Sequence, residues 1–375
     1  MRTPTSLLIV LLLAPAAWAA DPGTTKPKAG PAPNPKLAKL APNTVLDLGP
    51  LKLLPPEGES RGRVARITDY STMVYDPHGH RVLMFGGGHA TTFTDAIYAF
   101  DFKTLAWKAL YRPTPHRLMK PENFDAKLGA WKDGPKGPYP RPLSRHTYDM
   151  LCVPDELNEF IILKYGGGTA AGVDFGAAYF GGQAAHYGLK KGEWSFAKTG
   201  CPHGYATAAY DPVSKKIVVM QNKLGVYDPF KRQGKTVKNT PGQGYANHMV
   251  YYPPNQKMYY FIRGKKGGVR ELTLNRDDFS KSTVRALETT GERSPHGEPG
   301  YAYDNRSKII GGGVANNRFY AFDPRTKRWT SRAVEGGKPG NMNFHAVAYD
   351  PVDGVFIFIA SRRTWAYRYQ PPEGE

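Results

Sequence analysis

Cysteine is nearly absent: the 375 residues hold two, Cys152 and Cys201. That excludes a disulfide-stapled scaffold and a cysteine-built metal ribbon. Each cysteine lies in a segment that reads as strand or strand edge, so one disulfide and two buried thiols both stay open. Acidic residues are also short in supply, 32 Asp and Glu against 51 Lys and Arg, for a formal net charge of +19. After the first twenty residues no stretch approaches the roughly 20 apolar residues of a spanning helix, and no membrane span is expected. Nothing has the form of a zinc finger, a helix-turn-helix or an RNA-binding motif, which argues against sequence-specific nucleic acid as a partner.

What is present begins with a leader. Arg2, the apolar run Leu7 to Leu13 and the small residues Ala17 and Ala19 have the layout of a secretory signal peptide, residues 1–19, with cleavage after Ala19. The mature protein is then secreted or periplasmic. Residues 20–42 are rich in Pro, Lys and Ala, and they read as a disordered linker. For an exported chain of this charge the matching partner is an acidic polysaccharide or an anionic cell-envelope glycan. Ordinary solubility is the plain alternative.

The stretch "VYDPHGHRVLMFGGGHA", Val74 to Ala90, reads as a tight hairpin ending on a glycine hinge, and it recurs. Related copies start at Asp149, Ala206, His248, Tyr301 and His345. A second hairpin, aromatic on one strand and carrying Trp107, Trp194 or Trp329 on the other, follows in "DAIYAFDFKTLAWKAL", "AHYGLKKGEWSFA" and "NRFYAFDPRTKRWTSRA". Two hairpins per repeat make a four-stranded antiparallel sheet, the unit of a propeller. The expected fold is all-β, a single β-propeller over residues 43–375 with six blades. A seventh blade could hide in the insertion from Tyr111, but its prolines and charges leave no alternation and it reads as a loop. The segment "NTVLDLGPLKLLPP" from Asn43 supplies the strand that the last repeat lacks.

The glycine-run strand, the "YAFD" strand and the spaced Tyr and Trp resemble the kelch family of β-propellers, which includes the galactose-oxidase-like propeller. That resemblance implies the fold more than an activity.

Blade topology puts the approach to each first strand and the loop after each second strand on one face. Six of the ten histidines fall there: His89, His146, His203, His248, His296 and His345. They are joined by Arg145, Tyr205, Lys223, Asn247, Arg263 and Arg362. Each histidine could equally do no more than bond a neighbouring carbonyl. Carboxylates on this face are scarce, Asp69 and Glu298 being the clearest, against a paired-carboxylate glycosidase. No serine nucleophile elbow, phosphate loop or zinc spacing is present, so neither a cofactor nor a metal is expected. More distantly the chain resembles propeller-fold polysaccharide lyases, which implies β-elimination from a uronic-acid polymer. In that reading His146 and Tyr205 carry proton transfer with His89 assisting. Lys223, Arg145, His203, Asn247, His248, Arg263, Arg362 and His345 would hold substrate, although Lys223 stands where those lyases carry arginine. The alternative is a non-catalytic, monomeric glycan- or envelope-binding propeller.

Overall fold

The computed structural model describes residues 30–55, 57–58, 67–86, 94–134, 137–163, 169–170, 173–174, 183–202, 204–240, 244, 246–264 and 267–372. The expected signal peptide lies outside these residues, as do His89 and His203. The unit Pro33–Glu375 is all-β apart from short helical turns.

Among the described residues, six four-stranded antiparallel sheets follow one another along the chain. The first sheet is Met73–Asp76, Arg81–Met84, Tyr98–Asp101 and Ala106–Ala109. The second is Leu151–Cys152, Glu159–Ile162, Gln183–Gly188 and Glu193–Lys198, and the third is Thr207–Asp211, Lys216–Met220, Lys223–Asp228 and Gln233–Asn239. The fourth is His248–Tyr252, Lys257–Phe261, Val269–Thr273 and Thr283–Leu287, and the fifth is Tyr301–Asp304, Ile309–Ala315, Arg318–Asp323 and Arg328–Ala333. The sixth runs Met342–Asp350, Val355–Ala360 and Arg363–Tyr367, and takes its outer strand from Val45–Pro50 at the other end of the chain. The first strands touch in sequence from sheet to sheet, and that of the sixth touches that of the first, so they close a ring. This is the arrangement of a β-propeller.

The sequence dictates each piece locally. An aspartate closes the first strand of four of the six repeats and folds its carboxylate over the next turn: Asp76 accepts from His78 N at 3.0 Å, and Asp304 from Arg306 N at 2.8 Å. Such aspartate turns set the hairpin register, here Asp76 opposite Arg81 and Asp211 opposite Lys216. Second strands are buried on both faces, and they read as apolar runs such as Ile217–Met220. Outer strands face water and are polar, as in "QGKTVKN". The apolar side chains gather between neighbouring sheets, one cluster per pair. Val82, Phe100, Ile357 and Ala366 join the first and sixth, and Met220, Leu224, Met258 and Leu272 join the third and fourth. Gly86 at the end of the opening hairpin has φ +81°, and a Cβ there would sit 2.1 Å from Arg145 O on the approach to the second sheet. That close approach is the reason for a glycine hinge.

Two expectations are corrected. The segment read as linker up to residue 42 carries the helical turn Pro35–Ala38, capped by Asn34, and Leu37 is fully buried beside the first sheet. One apolar residue in a Lys-rich stretch was enough to dock it. The insertion after Tyr111 is not a plain loop. It holds a small sheet of Phe124–Asp125, Ala130–Trp131 and Arg141–Pro142, whose two-residue strands are too short to show alternation. Arg141 is fully buried there, 3.7 Å from Asp95 and over the rings of Tyr111 and Tyr139.

Candidate functional site

The entrances to the first strands meet at one end of the ring. The backbone there is held in an unusual state. Tyr70, Tyr148, Ala246 and Phe344 occupy the same position in four repeats, and all have positive φ, 53°, 47°, 57° and 43°. A left-handed conformation is unfavourable for a bulky residue and persists where its surroundings enforce it. Three of the four are aromatic, and their rings meet. Tyr70 lies 4.5 Å from Phe344, 4.9 Å from His146 and 5.8 Å from Tyr148, centroid to centroid. Tyr148 is set edge-on to His146 at 5.8 Å and to Tyr205 at 5.4 Å. Five rings thus form an arc over the entrances of the sixth, first, second and third sheets. Tyr205 is 52% exposed.

Beneath this arc the next residues inward are polar and buried. Asp149 accepts hydrogen bonds from Thr207 Oγ1 and from Met249 N (2.7 Å), and its other oxygen lies 3.1 Å from His248 Nδ1. One carboxylate therefore ties together the second, third and fourth sheets. His248 Nε2 donates to Tyr301 O at 2.5 Å, His296 Nε2 to Met342 O at 2.7 Å and His345 Nδ1 to Pro299 O at 3.2 Å. Each bond reaches from one sheet to the next. The rings of His248 and His345 stack at 5.6 Å. Burial pushes His248 down to about 3 and His345 down to about 4, and it lifts the Asp149 carboxyl well above the usual range. With His248 donating through Nε2, its Nδ1 is an acceptor, so a proton on Asp149 satisfies both groups. Asp149 and His248 also line a cavity of about 260 Å³, to which Val74, Cys152, Ala209, Val250, Ala302 and Ala348 contribute, one from each sheet.

The residues expected at the site separate into groups. His146 and Tyr205 are brought together, each against Tyr148. Asn247 and Arg263 meet at the fourth sheet, where Asn247 donates to Tyr260 Oη at 2.6 Å and accepts from Arg263 N at 2.9 Å. Arg263 also pairs with Glu298 at 3.0 Å. Arg145 is buried, donates to Leu143 O at 2.7 Å and is pushed down to about 9 by desolvation. His248 and His345 lie inside the channel with carbonyl partners, away from the exposed rings. Lys223 opens the third strand of the third sheet and Arg362 sits in the last hairpin turn at φ 58°. Among the described residues neither joins the ring cluster. The sequence alone assigns no role to Tyr70, Tyr148 or Phe344; the signal available was an aromatic five residues before the end-of-strand Tyr or its equivalent.

Both cysteines are free and buried in the cluster between the second and third sheets. Burial raises both thiols, Cys201 to about 11. No helix among the described residues is long and apolar enough to cross a membrane.

No family model matches this sequence, and no curated protein does. Solved structures do. An auxiliary nutrient binding protein from Bacteroides thetaiotaomicron superposes with a TM-score of 0.53 at 10% identity, over 86% of this chain and 75% of that one. An auxiliary nutrient binding protein from Bacteroides ovatus gives 0.50 at 12% identity, again over 86% and 75%. At these identities the likeness is one of fold: all-β, built from four-stranded antiparallel sheets.

Proposed function

We propose that the chain is an exported, six-bladed, kelch-like propeller that binds a glycan at the aromatic end of its channel. The observation carrying this reading is the arc of Tyr70, His146, Tyr148, Tyr205 and Phe344, three of them on left-handed backbone. Pyranose rings present flat C–H faces that pack on aromatic rings, while tyrosine hydroxyls serve the sugar hydroxyls. The six first strands closing a ring support the blade count. The excess of Lys and Arg favours an acidic glycan. The solved structures of similar fold bear the name auxiliary nutrient binding protein, which agrees with binding rather than turnover.

A second reading keeps β-elimination. His146 and Tyr205 flank one ring, Tyr148, so a base and an acid would face one bound sugar. Among the described residues Lys223, which that mechanism needs near the carboxylate, makes no contact with the cluster.

Tyr205→Ala tests the site, because an exposed ring can be removed with little effect on folding. Calorimetry against a panel of uronic-acid and neutral polysaccharides should show at least fivefold weaker binding at unchanged Tm. Equal binding by parent and variant would refute the aromatic site. Ultraviolet absorbance from an unsaturated product, in the parent only, would favour the lyase.

A further inference from the structure

At the opposite end of the ring from the aromatic arc, the turns of the first and sixth sheets bring together His80, Asp350 and Asp353. His80 Nε2 lies 3.2 Å from each Asp350 oxygen and 3.8 Å from Asp353 Oδ2. One ligand atom from each residue falls within 4.8 Å of the others. The two carboxylates have no solvent exposure and the imidazole 10%.

The same turn position elsewhere shows what is unusual here. Asp76 closes the first strand of its sheet and takes Arg81 Nε at 2.7 Å. Asp211 does the same in the third sheet and takes both arms of Arg276, at 2.9 and 3.0 Å. Asp350 accepts from the turn amides of Val352 (3.0 Å) and Asp353 (3.3 Å), and among the described residues it pairs with no arginine. It has a second buried carboxylate beside it, and one imidazole facing both. The guanidinium groups nearby are spent on carbonyls, Arg306 on Val352 O (2.8 Å) and Arg368 on Leu40 O and Leu37 O (2.7 and 2.8 Å). Asp353 Oδ1 accepts from Asn34 N at 2.8 Å, yet Asp353 Oδ2 is buried and accepts no hydrogen bond among the described residues.

We propose that His80, Asp350 and Asp353 bind a divalent transition-metal cation, with zinc the best match. One imidazole and two carboxylates suit zinc by donor type, whereas calcium prefers an all-oxygen shell. Tetrahedral ligands roughly 2.0–2.1 Å from an ion stand roughly 3.3–3.4 Å apart, close to the 3.2 and 3.8 Å spacings here. The site joins the first sheet to the sixth where the ring closes. Through Asn34, whose side chain donates to Phe102 O at 2.6 Å, it also holds the Pro35–Ala38 helix in place. A cation there staples the N-terminal segment to the ring. Sequence spacing could not reveal it, since His80 and Asp350 are 270 residues apart.

The test uses the exported chain, stripped with chelator and titrated with Zn²⁺, alongside His80→Gln and Asp353→Asn. The parent should bind one Zn²⁺ saturably. Its Tm should rise by roughly 3–5 °C at a hundredfold excess over Kd, and Zn²⁺ should slow tryptic cleavage at Lys36 and Lys39. Both variants should bind at least tenfold more weakly and lose the Tm response. A parent with no saturable one-to-one binding overturns the proposal, as do folded variants that bind zinc like the parent. Should both variants fail to fold, the parent's protection at Lys36 and Lys39 decides: cleavage indifferent to Zn²⁺ rejects the staple. A site that is only an imidazolium held by two carboxylates gives that indifferent result.

Discussion

His248 and His345 show how one residue type can serve two ends. Their placement on the channel face was legible from repeat position, but their depth was not. His345, one residue inward of Phe344, and His248, two inward of Ala246, are buried and spend themselves on carbonyls of the neighbouring repeat. That has a pH consequence with a definite sign. In the unfolded chain both rings titrate near 6.5, whereas folded His248 and His345 accept a proton only at about 3 and about 4. As pH falls below 6.5 the unfolded state takes up protons that the folded state refuses, so stability present above 6.5 is lost on acidification. Each buried histidine contributes a slope of about 1.4 kcal/mol per pH unit between roughly pH 4.5 and 6. Asp149 acts in the opposite sense, because its raised folded pKa favours the folded state at low pH, a contribution lost as pH rises. The parent's net slope therefore mixes signs, and the informative quantity is a difference. Denaturant unfolding of His345→Gln across pH 4.5–6.5 should give a pH slope shallower than the parent's by about one proton. Identical slopes would mean that His345 titrates normally in the folded protein.

At the scale of elements, the hairpins were readable because each combines an aspartate turn with a doubly buried apolar strand. The six first hairpins all stand where the "YDP"-like turns placed them. The outer pairs of the third and fourth sheets were harder to see, since Gln233–Asn239 and Thr283–Leu287 carry no tryptophan and face solvent. The closing strand was legible as the partner that the last repeat lacked, and its register is Val45 opposite Tyr367 and Asp47 opposite Trp365. Val45 packs with Phe358, Trp365 and Tyr367, and Asp47 pairs with Arg363 at 2.6 Å. Without Val45–Pro50 the Arg363–Tyr367 strand becomes a bare edge at the end of a buried sheet, which invites pairing with another chain. A chain beginning at Leu51 should melt roughly 5–10 °C below one beginning at Asn43 and should aggregate on standing. Equal melting temperatures for the two would show that the ring does not depend on that strand.

For the whole molecule, the sequence conveyed charge and repeat number but not how charge is distributed. Much of the carboxylate is already paired with cation: Asp211 with Arg276, Glu271 with Lys257 and Arg285, Asp228 with Lys216. The formal net charge of +19 is the excess left after such pairing, and an excess of one sign gives a molecule a long-range field. Such a field attracts a polyanion over a distance set by salt, about 30 Å at 0.01 M and about 8 Å at 0.15 M. In the proposed site, packing of sugar faces on the aromatic arc would not depend on salt. The two contributions can therefore be separated. Binding of an acidic polysaccharide should weaken at least tenfold from 0.01 to 0.3 M NaCl, whereas a neutral polymer of the same linkage should bind with nearly constant affinity. In Tyr205→Ala the salt dependence for the acidic polymer should persist while the salt-independent part shrinks. An affinity for the acidic polymer that is unchanged across this range would remove charge from the account and leave the rings as the whole of recognition.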